Sequence, residues 1–327
     1  MTAPDTAGAN KSSKTYRTGV FHSIVAAFFF GCGMPLAKLL LDAVPADPRM
    51  PRLDPLILSG LLYLGSGVGL EIGRRILTLF GSNGLRDERN DPIRGRAWLW
   101  LFVGTSCSGL IAPPLLMWGL ANSTASESSL LLSLESVFTA GLAWAFFREH
   151  WNRRILVGIG FVVAGATALS FHSGQVGLHL SWGCLAVAGA TLGWGIDNNC
   201  TRKIADCGAV RLAVLKGFGA GVILLTILLS LDHPLPSLGV IALAMLLGTF
   251  SIGLCQAQMI LSMQVIGAAR MAAWFSLAPF FGAVLSFLLL HDPLTLQFVI
   301  ASALTAFGLW LHATEGGAGG AAVDKQG

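Results

Sequence analysis

Two carboxylates stand in stretches that otherwise suit lipid. Glu135 lies in the middle of an apolar run near residues 126–147, and Asp197 lies in the inner part of another near 181–202, within WGIDNNCTRK. A charge at the bilayer centre costs about 3 kcal/mol on insertion scales, so an intramembrane carboxylate marks a cavity, an ion path or a polar partner. A proton relay needs such a group, made easier to protonate by burial so that it can load and unload. Asn198 and Asn199 add amides next to Asp197, and Trp194 offers an aromatic wall for an organic solute. Gln256 and Gln258 bring amides to a run near 238–260, Trp274 lies in a run near 269–290, and Lys38 lies in the outer part of the first run. These nine residues form the candidate substrate or ion pathway. The competing readings are structural: a fixed polar partner for Asp197, a Glu135 that stays protonated, interhelical hydrogen bonds for the glutamines, and a Lys38 that reaches the headgroups. Glu71, beside Arg74 and Arg75, reads as an ion pair at a helix end.

Other chemistries lack their residues. All seven histidines lie near the ends of apolar runs, and no HExxH or GxSxG element occurs, so catalysis inside the membrane is disfavoured. There is no GxxxxGK[ST] loop, so no nucleotide cofactor is expected. The six cysteines show no paired metal spacing and read as small packing residues. The net charge of +4 comes from basic residues at helix ends, which is a topology signal and no reason to expect nucleic acid as a partner.

The elements that must hold the candidate residues are membrane helices. The chain is 54% hydrophobic and only 12% charged, with a mean hydropathy of +0.69. Soluble domains carry about 25% charged residues. Apolar runs fall near 20–41, 56–79, 98–119, 126–147, 153–171, 181–202, 211–231, 238–260, 269–290 and 295–313, which makes ten. The first follows Lys11, Lys14 and Arg17 as a signal peptide would, but it is long enough to span and is read as a retained helix. Residues 1–19 and 314–327 are read as cytoplasmic tails. With both termini inside, 17 of the 21 Lys and Arg fall on the cytoplasmic side. Only Arg49 and Arg52 fall outside, and Lys38 and Lys216 fall within spans. That asymmetry obeys the positive-inside rule for a multi-pass protein of the inner or plasma membrane.

The chain also repeats itself. Residues 122–169 align without a gap on 265–312 at an offset of 143, placing Ser133 on Ser276, Phe138 on Phe281, Glu149 on Asp292 and Gly165 on Gly308. Gly65, Gly67 and Gly69 match Gly217, Gly219 and Gly221. Five helices per half is an odd number, so the second repeat (180–313) is inverted relative to the first (20–171). Ser126, Ser129, Ser133, Ser136 and Ala140 form a small stripe on one helix face, repeated as Ala269, Ala272, Ser276, Pro279 and Ala283. Such stripes let helices approach closely, and Ser129, Ser133, Ser276 and Pro279 are the packing candidates. Pro113-Pro114 should kink the third helix, and the repeat-related positions are Gln256 and Ala257. The expected fold is therefore an all-α polytopic membrane protein with ten transmembrane helices in two inverted five-helix repeats.

SSLLLSLESVFTAGLAWAFFREH, AARMAAWFSLAPFFGAVLSFLLLHDP and LGWGIDNNCTRK together resemble the drug/metabolite transporter superfamily, EamA type, over roughly Val20 to Thr314. The second half carries the family's Leu-x-Pro-like element at Leu277-Ala278-Pro279. The first half has Ser136 where that proline would fall, so its helix is expected to be straighter. The resemblance implies two bundles around a central cavity near the midplane, and transport of small organic solutes such as amino acids. The leading expectation is a secondary transporter, an exporter working by alternating access and driven by a gradient of the solute, of protons or of sodium; if it is ion-coupled, Asp197 and Glu135 are the carriers. A facilitative channel or a non-transporting membrane scaffold is the alternative. The expected partners are a small-molecule solute and the lipid bilayer, and a homodimer is compatible with this reading.

Overall fold

The computed structural model describes residues 6–43, 53–80, 90–123, 131–147, 153–169, 182–291 and 295–318. Most of these residues are helical, and no strand occurs among them. The first part contains α1 (Thr6–Ala43), α2 (Pro55–Leu79), α3 (Arg96–Thr105), a π-helical turn (Ser106–Ile111), α4 (Ala112–Ala121), α5 (Leu134–Phe147) and α6 (Arg153–Leu169). The second contains α7 (Trp182–Arg202), a 3-10 turn (Ala205–Cys207), α8 (Ala209–Ser230), α9 (Leu238–Gly248), a second π turn (Thr249–Leu254), α10 (Cys255–Ile266), α11 (Ala268–Phe275), α12 (Ala278–Leu290) and α13 (Leu296–Ala318).

Six of the described helical segments are long and apolar enough to cross a membrane: Tyr16–Asp42, Pro55–Leu79, Arg96–Ala121, Ala209–Ser230, Leu238–Ile266 and Arg270–Leu290. α7 is long enough, but its glycines, asparagines and Asp197 make it more polar. Phe102, Leu243, Val284 and Trp310 are among many large apolar side chains left on the outside, where lipid would cover them. This is a multi-pass membrane protein. Two helices are longer than the sequence suggested. α1 starts at Thr6 within the expected N-terminal tail, and α13 continues to Ala318 past Glu315. No proline interrupts α1 before Pro35 or α13 anywhere, so nothing stops either helix at the edge of its apolar run.

Packing pairs the helices in a regular way. α2 packs on α8, and α6 on α13. α1 packs on α10 and α12, while α7 packs on α4 and α5. At the α2–α8 crossing the backbones touch through the two glycine rows. A Cβ on Gly217 would stand 2.5 Å from the Gly67 nitrogen, and one on Gly221 would stand 2.3 Å from the Leu64 nitrogen. No side chain fits there, which is why small residues drive such contacts in lipid.

Both π turns and both helix breaks lie at related positions. Ser106–Ile111 and Thr249–Leu254 are 143 residues apart, the offset of the sequence duplication. In the first, the Ala112 N–H reaches back five residues to the Cys107 carbonyl. Pro113 has no N–H to continue that pattern, so the Ser108 carbonyl is released from the helix. The second π turn forms without proline. The chain also breaks between α11 and α12 at Ser276–Leu277, just before Pro279. The expectation of a straighter helix in the first half fails. Leu132 and Ser133 form a turn there too, with Glu135 and Ser136 N–H groups bonded three residues back to the Leu132 and Ser133 carbonyls at 3.0 and 3.2 Å. Ser136 helps by donating its hydroxyl to the same Ser133 carbonyl, at 2.8 Å. A side chain does locally what proline does in the second half.

Candidate functional site

α7 supplies one wall of a central cavity. Trp194, Asp197, Asn198 and Thr201 recur at helical spacing, so they project from one face, and all four line the cavity. α1 adds Phe30 and Met34, α2 adds Ser59 and Tyr63, α5 adds Glu135, α8 adds Lys216, and α10 adds Gln256. The cavity with its opening spans about 820 Å3, and its lining is mainly apolar with these few polar groups. That composition suits an organic solute oriented by a handful of fixed contacts.

Asp197 is not a free carboxylate. Lys216 Nζ donates to its two oxygens at 2.6 and 2.8 Å, and also to Thr201 Oγ1 at 2.7 Å. Thr201 in turn donates to Asp197 Oδ1 at 3.1 Å. Lys216 is only 2% exposed and Asp197 5%, so the pair is withdrawn from water. Gly104 of α3 makes room for it, since a Cβ there would lie 2.4 Å from Asp197 Oδ1. Glu135 is equally buried but has a different environment. Its Oε1 accepts from Asn198 Nδ2 at 2.7 Å, and among the described residues it has no cationic partner. Asn198 Nδ2 also donates to Thr139 Oγ1 at 3.1 Å.

The released Ser108 carbonyl is satisfied from this cavity. Tyr63 Oη donates to it at 2.5 Å and Trp194 Nε1 at 3.2 Å. Two lining side chains are therefore tied to the π turn, and irregular backbone is stabilised where it borders a polar interior.

The other candidates lie elsewhere. Asn199 turns away from the cavity and donates to the Thr139 and Gly195 carbonyls at 3.1 and 2.8 Å, joining α7 to α5. Gln258 is bonded to His22 Nδ1 of α1. Lys38 is half-buried near the Leu120 carbonyl and Asp42, outside the cavity lining. Trp274 is half-buried and lines neither cavity described here. Ser133, Ser276 and Pro279 meet across the α5–α11 contact around a second cavity, whereas Ser129, Glu149 and Asp292 fall outside the described residues. Glu71 is held by Arg74 and Arg75 at 2.8 and 2.7 Å, as its spacing suggested. Lys216, Tyr63 and Thr201 were not among the sequence candidates. Lys216 was the one with a signal, as a lysine inside an apolar run.

Comparison with known proteins fits this geometry. A solved crystal structure superposes with a TM-score of 0.64 at 17% identity, covering 92% of this chain and 98% of that one, and so shares the fold. An uncharacterized transporter from Methanothermobacter thermautotrophicus is 26% identical over 306 residues, covering 90% of this chain and 85% of that protein. The EamA-like transporter family matches residues 17–171 and again 181–314, which is nearly the whole membrane part, once per half. The chain is therefore a membrane transporter that belongs to the EamA-like transporter family, within the drug/metabolite transporter superfamily.

Proposed function

We propose that this transporter is a gradient-driven carrier that exports small organic metabolites, amino acids among them, across the inner or plasma membrane by alternating access. Its ten helices form two inverted five-helix repeats, with both termini cytoplasmic. The pairing of α2 with α8 and α6 with α13, and the matching roles of α1 and α7, support a twofold relation between the halves. The two π turns at one offset support it further.

The observation that carries the transport reading is the central cavity. Both halves contribute to it, and its polar groups are few and fixed. Alternating access exposes such a site to one side and then the other by rocking the halves. A carrier coupled to an ion needs a group that changes occupancy during the cycle. Asp197 is committed to Lys216, so the loading role falls to Glu135. A proton or a small monovalent cation is the kind of ion such a carboxylate can take up. The family assignment and the transporter-named relative favour transport over catalysis.

The test is flux in liposomes. Purified protein should take up members of a panel of labelled amino acids and organic cations in a saturable way, faster under an imposed ion gradient. Glu135→Gln should lose the acceleration by the gradient while retaining exchange of cargo down its own gradient. Non-saturable flux, indifferent to the gradient in both proteins, would instead identify a channel.

A further inference from the structure

A second, smaller cavity of about 270 Å3 lies beside the first. It sits between α5 and α11, where the breaks at Leu132–Ser133 and Ser276–Leu277 come together. Phe30 and Phe275 line both cavities, with ring centroids 5.5 Å apart, and Glu135 also lines both.

Among the described residues, the polar side chains of this cavity all present oxygen. Ser136 spends its hydroxyl proton on the Ser133 carbonyl at 2.8 Å, and Ser276 spends its own on the Ala272 carbonyl at 2.7 Å. Each therefore turns lone pairs toward any further partner. The Ser133 hydroxyl lines the cavity at 2% exposure and has no hydrogen-bond partner among the described residues. A buried polar atom without a partner is rare and calls for an occupant. Glu135 adds one carboxylate, and among the described residues no Lys, Arg or His belongs to the lining. Three hydroxyls and one carboxylate form a hard-oxygen set with a single negative charge. Transition metals prefer nitrogen or sulfur, and Ca2+ is held by several carboxylates and carbonyls. Among the described residues no three His, Cys, Asp or Glu side chains cluster to hold such an ion. A small monovalent cation matches both the charge and the donors.

We infer that the smaller cavity is a Na+ site, formed by the Glu135 carboxylate and the hydroxyls of Ser133, Ser136 and Ser276. Interrupted membrane helices supply cation sites in this way in other transporter folds. The ion would bridge α5 and α11, one from each half of the chain. Because Glu135 also faces the main cavity, ion and cargo would share one carboxylate. That link to transport rests on the proposed function, whereas the site itself does not.

The test needs no cargo. Purified full-length protein is melted in detergent while NaCl replaces choline chloride at constant ionic strength. Na+ should raise the melting temperature in a saturable way. Glu135→Gln should abolish the effect. Ser133→Ala and Ser276→Ala should each raise the half-saturating Na+ concentration by about tenfold, the loss of one ligand contact, with melting in choline little changed. No saturable shift overturns the proposal. So does a shift that persists in Glu135→Gln, or stabilisation that follows pH and ignores Na+. Failure of uptake in liposomes would overturn the transport reading and leave this result standing. Failure of the Na+ shift would overturn the site and leave transport standing.

Discussion

Asp197 and Glu135 line one cavity and are each 5% exposed, but they are built for different tasks. Asp197 receives two hydrogen bonds from a lysine and one from Thr201, while Glu135 receives an amide from Asn198. A buried carboxylate paired with a buried cation is neutral as a unit, and changing its protonation strands the partner. A buried carboxylate held only by a neutral amide strands no partner charge when it is protonated or takes up another cation. The first arrangement fixes α7 against α8. The second leaves a group able to change state during a cycle. Position in the membrane alone would have ranked the two alike.

Breaking the pair tests this most severely. Lys216→Met leaves Asp197 buried without compensation and should destabilise the protein by about 3–5 kcal/mol, as measured by unfolding in detergent. Asp197→Asn alone should be similarly damaging, because it leaves Lys216 uncompensated. The double variant, Asp197→Asn with Lys216→Met, removes both charges and should recover most of the loss. If each single variant matches wild type in stability, Asp197–Lys216 is not a clamp. Glu135→Gln belongs in the same series and should change stability by about 1 kcal/mol or less, since the amide can still accept from Asn198.

Gly104→Ala perturbs the Asp197 side without touching charge. The added methyl would lie 2.4 Å from Asp197 Oδ1, so α3 or the carboxylate must shift. Overpacking of this kind costs about 1–3 kcal/mol. Combined with the double variant above, Gly104→Ala should do less harm than it does alone, because the ion pair it disturbs is already gone. Additive losses would show that the crowding acts on the helix backbone and not on the pair.

Much of this arrangement could be read before the structure. Apolar runs and the Lys and Arg asymmetry marked the membrane helices, because lipid tolerates little else. The cost of intramembrane charge pointed to Glu135 and Asp197, and Trp194, Asn198 and Asn199 were named with Asp197 as its neighbours in the same segment. What escaped depends on how helices are rotated and joined. Gln258 is two residues from Gln256 and so lies on nearly the opposite face, at His22 of α1. Lys216 was visible as a charge in a span, but nothing in the chain says that it meets a carboxylate 19 residues earlier on another helix. The break at Leu132–Ser133 was missed because proline was taken as its cause. The second half has Pro279 and the first has Ser136, yet both helices break, so the packing of α5 and α11 around the small cavity sets the interruption more than any one residue does.

Tyr63→Phe should also have a small effect, and it asks how rigid the Asp197 side is. The Ser108 carbonyl loses its helical partner because Pro113 carries no N–H, and Tyr63 and Trp194 replace that partner from two other helices. Removing the Tyr63 hydroxyl leaves Trp194 as a donor, so the carbonyl stays satisfied and stability should fall by only about 1 kcal/mol. Trp194→Phe alone should behave alike, because Tyr63 remains. Removing both leaves a buried carbonyl with no partner, and the double loss should exceed the sum of the singles by about 1 kcal/mol or more. A strictly additive double variant would mean that water or a rearranged π turn takes over the carbonyl. The wall of α3 and α4 beside Asp197 would then be softer than the two hydrogen bonds imply.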